Sequence, residues 1–237
     1  MRLLVVGGAG FVGSILRPAL ESAHHCTYLD IKPVPGAEDR TTVGSVTDEA
    51  AVALATKNIE GVIYLAMGVG PPGLHCDDIG PAFDVNVQGL YRVLTQSFAG
   101  GARTFVYTST LSVYTEICKG RNVDEATPPN ETRSYGLTKR LGEQVCQALA
   151  PAHPLATLVC LRLYQPRSDQ QWNDPVNGAE LRSWHTLGPD DLRALYLASL
   201  NLHNPGCHIL QASGDLDGTR FPNHRATALL GWQPQGR

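Results

Sequence analysis

The 237-residue sequence predicts an α/β fold, a parallel sheet wound with helices on both faces. Three observations predict it. Short apolar runs alternate with longer stretches of helical character, the pattern of strands buried on both sides. A glycine turn, "VVGGAGFVGS", joins the first such run to the first helical stretch. The composition, 43% hydrophobic and 17% charged, belongs to a globular chain long enough to bury a full core.

The first strand is expected at Leu3–Val6, before the glycines, and the first helix at Phe11–Ser22 after them. Cys26–Leu29 and Thr42–Val43 supply the next strands, and Asp48–Ala55 the next helix. Gly61–Leu65, Thr104–Tyr107 and Ala156–Leu161 continue the sheet, separated by helices at Pro81–Phe98 and Ser134–Ala150. After Leu163 the chain becomes polar and turn-rich, with no sustained period. A helix then starts at "PDDLRALYLASL", where Pro189 and Asp190 or Asp191 suit a first turn. A strand at Cys207–Leu210 and a helix at Asn223–Leu230 complete the chain.

Charge and cysteine usage exclude several functions. The formal charge is −3 and no basic run forms a phosphate-binding stripe, so no nucleic-acid partner is expected. Six cysteines lie scattered at 26, 76, 118, 146, 160 and 207 without a CxxC pair, against a zinc or thioredoxin-like motif. His24 and His25 lack a spaced third ligand, and His75, Cys76, Asp77 and Asp78 lie in the loop "GPPGLHCDDIGP", so no metal site is expected. No apolar run reaches membrane-spanning length, and the N-terminus lacks the apolar region of a signal peptide. A cytoplasmic protein with no membrane partner is the expectation.

Gly7, Gly10 and Gly13 recur every third residue between a strand and a helix, the context that a dinucleotide site needs. Glycines let the backbone turn sharply and approach a pyrophosphate, whose charge the helix N-terminus favours. Asp30 follows Gly13 by 17 residues and ends the second strand, where a carboxylate can accept from a ribose diol and repel an additional phosphate. NAD rather than NADP is expected, with Lys32 and Arg40 close enough in sequence to soften the preference. Residues 1–163 are read as a Rossmann-like NAD-binding domain and 164–237 as a small substrate-side annex packed on it.

"SYGLTK" sets Tyr135 and Lys139 four residues apart, on one helix face. With "YTSTLSVY" and "NVQGLYRVL" in order around it, the chain resembles the extended short-chain dehydrogenase/reductases, the NAD-dependent epimerase/dehydratase family. The resemblance runs through "GVIYLAMGV", "GPDDLRALYLASL" and "LLGWQP", nearly the whole chain. It implies that Tyr135 is the general acid/base, that Lys139 binds the nicotinamide ribose and lowers the tyrosine pKa, and that Thr110, 25 residues before Tyr135, orients the same substrate oxygen. It also implies cofactor contacts from Gly7, Gly10, Phe11, Val12, Gly13, Asp30, Ile31, Ser45, Val46, Leu65, Ala66, Met67, Asn86 and Thr108, besides Lys139. Ser45 stands where many relatives have an adenine-contacting Asp, and Asn86 is expected to hold the geometry of the site. A free tyrosine is phenolate in roughly one molecule in a thousand at pH 7; a fall of about two to three pH units brings it into the range of a general base.

The short region after Leu163 resembles the compact uronate dehydrogenase branch, which implies hydride transfer from a sugar or sugar-acid hydroxyl to NAD. A guanidinium pairs well with an acid substrate, and Arg167 and Arg182 fall in the irregular segment. Val69, Ser109 and Gln165 are the other substrate candidates, with Leu74 to Ile79 as a lid. Tyr164 and Gln165 depart from the Gly-Ser step of that branch. A nucleotide-sugar epimerase and a non-catalytic NAD(H) sensor stay open as alternatives. A dehydratase is disfavoured, because Leu111 and Ser112 stand where those relatives carry Asp-Glu. Helices at Pro81–Phe98 and Ser134–Ala150 resemble the family's dimerisation helices, so a homodimer is expected.

Overall fold

The computed structural model describes residues 1–68, 79–115, 123–181 and 185–237. Seven parallel strands form one sheet: β1 (Arg2–Val6), β2 (His25–Asp30), β3 (Thr41–Val43), β4 (Gly61–Tyr64), β5 (Thr104–Thr110), β6 (Thr157–Leu163) and β7 (Gly206–Ala212). Their order is β3-β2-β1-β4-β5-β6-β7. The helices used below are α1 (Phe11–Ala23), α2 (Glu49–Ala55), α3 (Gly80–Phe83), α4 (Leu90–Ala99), α5 (Ser134–Leu149), α6 (Asp169–Trp172), α7 (Gly178–Leu181), α8 (Pro189–Leu200) and α9 (His224–Leu230).

Alternation along each strand divides the core in two. Leu3 and Val5 of β1 belong to a buried cluster with Leu16 of α1 and Leu195 of α8. Leu4 and Val6 belong to one on the opposite face with Val52 of α2, Leu94 of α4 and Cys146 of α5. The strand order reverses between β1 and β4, so the connections leaving their C-terminal ends diverge to opposite faces and open a crevice. Among the described residues no helix is long and apolar enough to cross a membrane.

Three local departures from the sequence reading have physical causes. β5 runs on to Thr110, three residues further than expected, because Thr108, Ser109 and Thr110 stay paired with Leu161, Arg162 and Leu163 of β6. The helix expected at Pro81–Phe98 is interrupted by a π-helical turn, Asp84–Gly89, between α3 and α4. The Tyr64 phenol donates to the Val85 carbonyl at 2.5 Å, which favours the wider turn. The aperiodic stretch after Leu163 contains two single-turn helices, α6 and α7; Ser168 caps the first in a reciprocal box with Gln171. A parallel bridge between Pro166 and Leu187 spans that stretch.

β7 forms one edge of the sheet. On its outer side the Gln211 amide donates to Glu125 Oε1 at 2.8 Å, and Gln211 Nε2 donates to the carbonyls of Val123 and Pro222 at 3.0 and 2.7 Å.

Candidate active site

The glycine turn occupies the crevice between β1 and β4. Gly7 has φ of +86°, and a Cβ on it would lie 2.6 Å from the Ala66 nitrogen. A Cβ on Gly13 would lie 2.4 Å from the Gly8 carbonyl oxygen, so a larger residue would push α1 off the loop. Gly10 precedes α1 with no side-chain cap, leaving the amides of that 13-residue helix's first turn for a ligand. Asp30, 9% exposed, closes the loop from β2: its Oδ2 accepts from the Ala9 amide at 2.8 Å and its Oδ1 from the Lys32 amide at 3.3 Å. Phe11, Ile31 and Met67 keep large exposed apolar surface, and Val12, Leu65 and Ala66 are half-buried beside them in sequence. A cradle that a Cβ would fill, a free helix N-terminus and a strand-end carboxylate together fit a dinucleotide.

Arg40 does not reach this end of β2. Its guanidinium donates to Glu21 at 2.9 Å and to the Cys26 carbonyl at 3.2 Å, near the start of the strand and about 13 Å of chain from Asp30. That removes one of the two cations that would favour NADP. Ser45 and Thr47 share a hydroxyl bond of 2.8 Å, and Val46, next to it, is buried.

α5 comes close to the sheet because of its glycines. A Cβ on Gly136 would lie 2.1 Å from the Ser112 carbonyl, and one on Gly142 2.2 Å from the Tyr107 phenol. This approach brings Tyr135 to the end of β5, where its phenol lies beside the Thr110 hydroxyl. Thr110 Oγ1 also accepts from the Ser112 amide at 3.1 Å. Lys139, one turn on, is 2% exposed; its Nζ donates to the Thr108 carbonyl at 2.9 Å and lies 5.2 Å from the Tyr107 ring centre. Desolvation lowers the Lys139 pKa to about 8. Burial pushes the Tyr135 phenol above its ordinary value, and the neighbouring Thr110 hydroxyl opposes that.

Asn86, inside the π-helical turn, is fully buried and bridges two elements. Its Oδ1 accepts from the Gly68 amide at 3.1 Å, and its Nδ2 donates to Thr138 Oγ1 at 2.9 Å, between Tyr135 and Lys139 in sequence. Tyr196 of α8, which the sequence reading did not single out, shares a 2.5 Å hydrogen bond with Thr108 Oγ1. Its fully buried phenol is pushed up by desolvation and by Tyr135. No motif marks it.

The substrate candidates divide. Ser109 faces away from Thr108 and Thr110, as strand alternation requires, and its hydroxyl donates to Glu143 Oε1 at 2.6 Å. Leu163 pairs with Thr110, so the chain leaving β6 passes beside that hydroxyl. There Gln165 is exposed, with φ of +41°, and Arg167 Nη2 donates to its Oε1 at 3.1 Å. Arg167 Nε is buried without a hydrogen-bond partner. His185, 5.2 Å from the Tyr164 ring, is held below its ordinary pKa by burial and then by Arg167 and Arg220. Val69, Arg182 and the lid candidates from Leu74 to Asp78 lie outside the described residues; Ile79 is exposed.

Sheet order, glycine cradle and the Thr110–Tyr135–Lys139 arrangement define a Rossmann-like protein of the short-chain dehydrogenase/reductase type. The chain belongs to the NAD-dependent epimerase/dehydratase family, whose model matches residues 3–177. That family's enzymes depend on NAD. Uronate dehydrogenase of Pseudomonas putida is 25% identical over 239 residues, covering 99% of this chain and 84% of that enzyme. UDP-glucose 4-epimerase of Neisseria meningitidis serogroup B is 26% identical over 180 residues, covering 70% of this chain and 53% of that enzyme. The chain spans about half the length of the epimerase relatives it matches. An NAD-bound short-chain dehydrogenase/reductase superfamily protein from Agrobacterium tumefaciens has the same fold, with a TM-score of 0.80 at 22% identity, covering 99% of this chain and 93% of that one.

Proposed function

We propose that the protein is an NAD-dependent dehydrogenase that oxidises a hydroxyl of a free sugar or sugar acid, in the manner of a uronate dehydrogenase. The observation that carries this reading is the extent of the likeness: 99% of the chain aligns with the Pseudomonas putida uronate dehydrogenase, against 70% with the Neisseria epimerase. Arg167 adds a chemical reason. Its buried Nε has a donor to give, and the positive charge that Arg167 and Arg220 bring to the surroundings of His185 favours an anionic group such as a carboxylate.

Gly7, Gly10 and Gly13 would hold the pyrophosphate at the start of α1, and Asp30 the adenosine ribose, with Lys139 at the nicotinamide ribose. When bound, NAD supplies the hydride acceptor and a positive charge that favours a phenolate nearby. The chain's own part is proton handling. Tyr135 Oη takes the proton from the substrate hydroxyl, while Thr110 Oγ1 holds the same oxygen through a hydrogen bond. Asn86, bonded to Thr138, fixes the first turns of α5 against the segment after β4. Arg167 orients the far end of an acid substrate.

The direct test is absorbance at the NADH wavelength, with purified protein, NAD and a panel of free uronic acids, aldoses and polyols. NADH formation with a sugar acid, weakened by Arg167→Met mainly through KM, is the expected result. No NADH from any free sugar, with NAD still binding, would favour an epimerase of nucleotide-linked sugars. Pairing of two copies through α4 and α5 is part of the same proposal. Leu137, Leu141, Val145 and Leu149 recur every fourth residue on α5 and are all half-buried in the single chain. Sedimentation is expected to give a dimer, and a single 25.5 kDa species at micromolar concentration would remove it.

A further inference from the structure

Tyr135, Lys139 and Glu143 follow one another at intervals of four residues, so all three share one face of α5. Glu143 and Arg162 of β6 are each 2% exposed and form a two-pronged pair. Arg162 Nε donates to Glu143 Oε1 at 2.8 Å, and Nη2 donates to Oε2 at 2.7 Å. Ser109 of β5 gives its hydroxyl to the same carboxylate. Arg162 Nη1 donates to the Tyr114 phenol at 2.5 Å, and that phenol donates to the Asp124 carbonyl at 2.7 Å. The network ties α5 to both neighbouring strands and to the chain between β5 and α5.

Burying opposite charges carries a desolvation cost, and apolar residues of similar volume often serve stability as well or better. Two parallel N–H···O bonds instead define distance and rotation. Gly136 and Gly142 bring bare backbone against Ser112 and Tyr107, and the other side-chain bonds of the contact, Asn86 to Thr138 and Lys139 to the Thr108 carbonyl, are single ones that fix distance more than rotation. A 10° turn of a helix about its axis moves side-chain tips about 6 Å out by about 1 Å. A misplacement of that size at a reacting group costs about 100-fold in rate.

We propose that the Glu143–Arg162 pair is a positioning device that sets the rotation of α5, and with it the approach of Tyr135 to Thr110 and of Lys139 to the Thr108 carbonyl. It rests on the reading of Tyr135 and Lys139 as the working pair. Glu143→Asp retains the charge but shortens the reach by one methylene, and Glu143→Met/Arg162→Met removes both charges while keeping bulk.

The readout is the absorbance titration of the Tyr135 phenol with NAD present, isolated by subtracting the Tyr135→Phe counterpart of each protein. The groups facing that phenol are the Thr110 hydroxyl at the end of β5, Lys139 on α5 and the Tyr196 phenol on α8, and neither variant alters them. Expected are unfolding temperatures close to the parent's, a Tyr135 midpoint displaced by ~1 pH unit or more, and an NADH rate with glucuronate lowered about 100-fold. A folded variant with the parent's midpoint overturns the inference. If the double variant does not fold, Glu143→Asp decides alone. Should Tyr135→Phe keep full turnover, the site reading fails, while the midpoints, which need no turnover, still decide the role of the pair.

Discussion

Replacing Tyr135 with phenylalanine is expected to lower turnover about 10²- to 10⁴-fold while NAD still binds. The change removes one oxygen and keeps the ring. Thr110 retains its bond from the Ser112 amide, so the end of β5 has no reason to move. Burial holds the phenol above its ordinary value, so the base must be generated by positive charge brought to the site. The parent's rate should therefore rise with pH through an acid limb belonging to Tyr135, and the variant should lose that limb. NADH formation across pH, beside calorimetric titration with NAD, checks both points. An unchanged rate would take Tyr135 out of the chemistry; lost NAD binding would make it a cofactor contact instead.

Lys139→Met is expected to abolish turnover and yet stabilise the fold at neutral pH. The ammonium titrates at about 8 in the folded protein, against an ordinary value of 10.5, because it is desolvated. At pH 7 it is protonated in both folded and unfolded chains, and the folded chain bears the whole penalty, about 3 kcal/mol. Between pH 8 and 10.5 the unfolded chain holds the proton that the folded one has released, so stability rises with pH and the penalty fades. Methionine has similar length and no charge, but gives up the hydrogen bond to the Thr108 carbonyl, worth about 1 kcal/mol. The variant should thus be more stable by about 2 kcal/mol at pH 7, with the advantage gone by pH 10. Urea unfolding at both pH values measures it. A variant less stable than the parent at pH 7 would contradict a desolvated ammonium.

Much of the sheet was legible because strands buried on both faces are apolar over most of their length, as at Leu3–Val6 and Leu158–Leu161. The glycine turn was legible because few backbones can make that turn and that close approach. The π-helical turn was not, since the contact that goes with it comes from the Tyr64 phenol, 21 residues before Val85. Ser109 illustrates another limit. Its place beside Thr108 and Thr110 makes it a tempting substrate contact, but alternation turns it toward Glu143, and the partner's identity depends on tertiary packing. Arg40 looks close to Asp30 in sequence, yet the pairing of β2 with β3 carries it to the opposite end, where Glu21 takes its charge.

The closed outer side of β7 bears on how the protein behaves in a crowded solution. A parallel sheet that ends in a seven-residue strand offers a row of amides and carbonyls on which a foreign strand could grow. At Gln211 that row is interrupted by a carboxylate from Glu125, which the Gln211 side chain helps to place by bonding the Val123 carbonyl two residues earlier. An incoming strand would have to displace the Glu125 carboxylate before it could pair with that amide. The Glu125 carboxylate thereby blunts the exposed edge at that one position, a consequence for strand pairing that is separate from the active site.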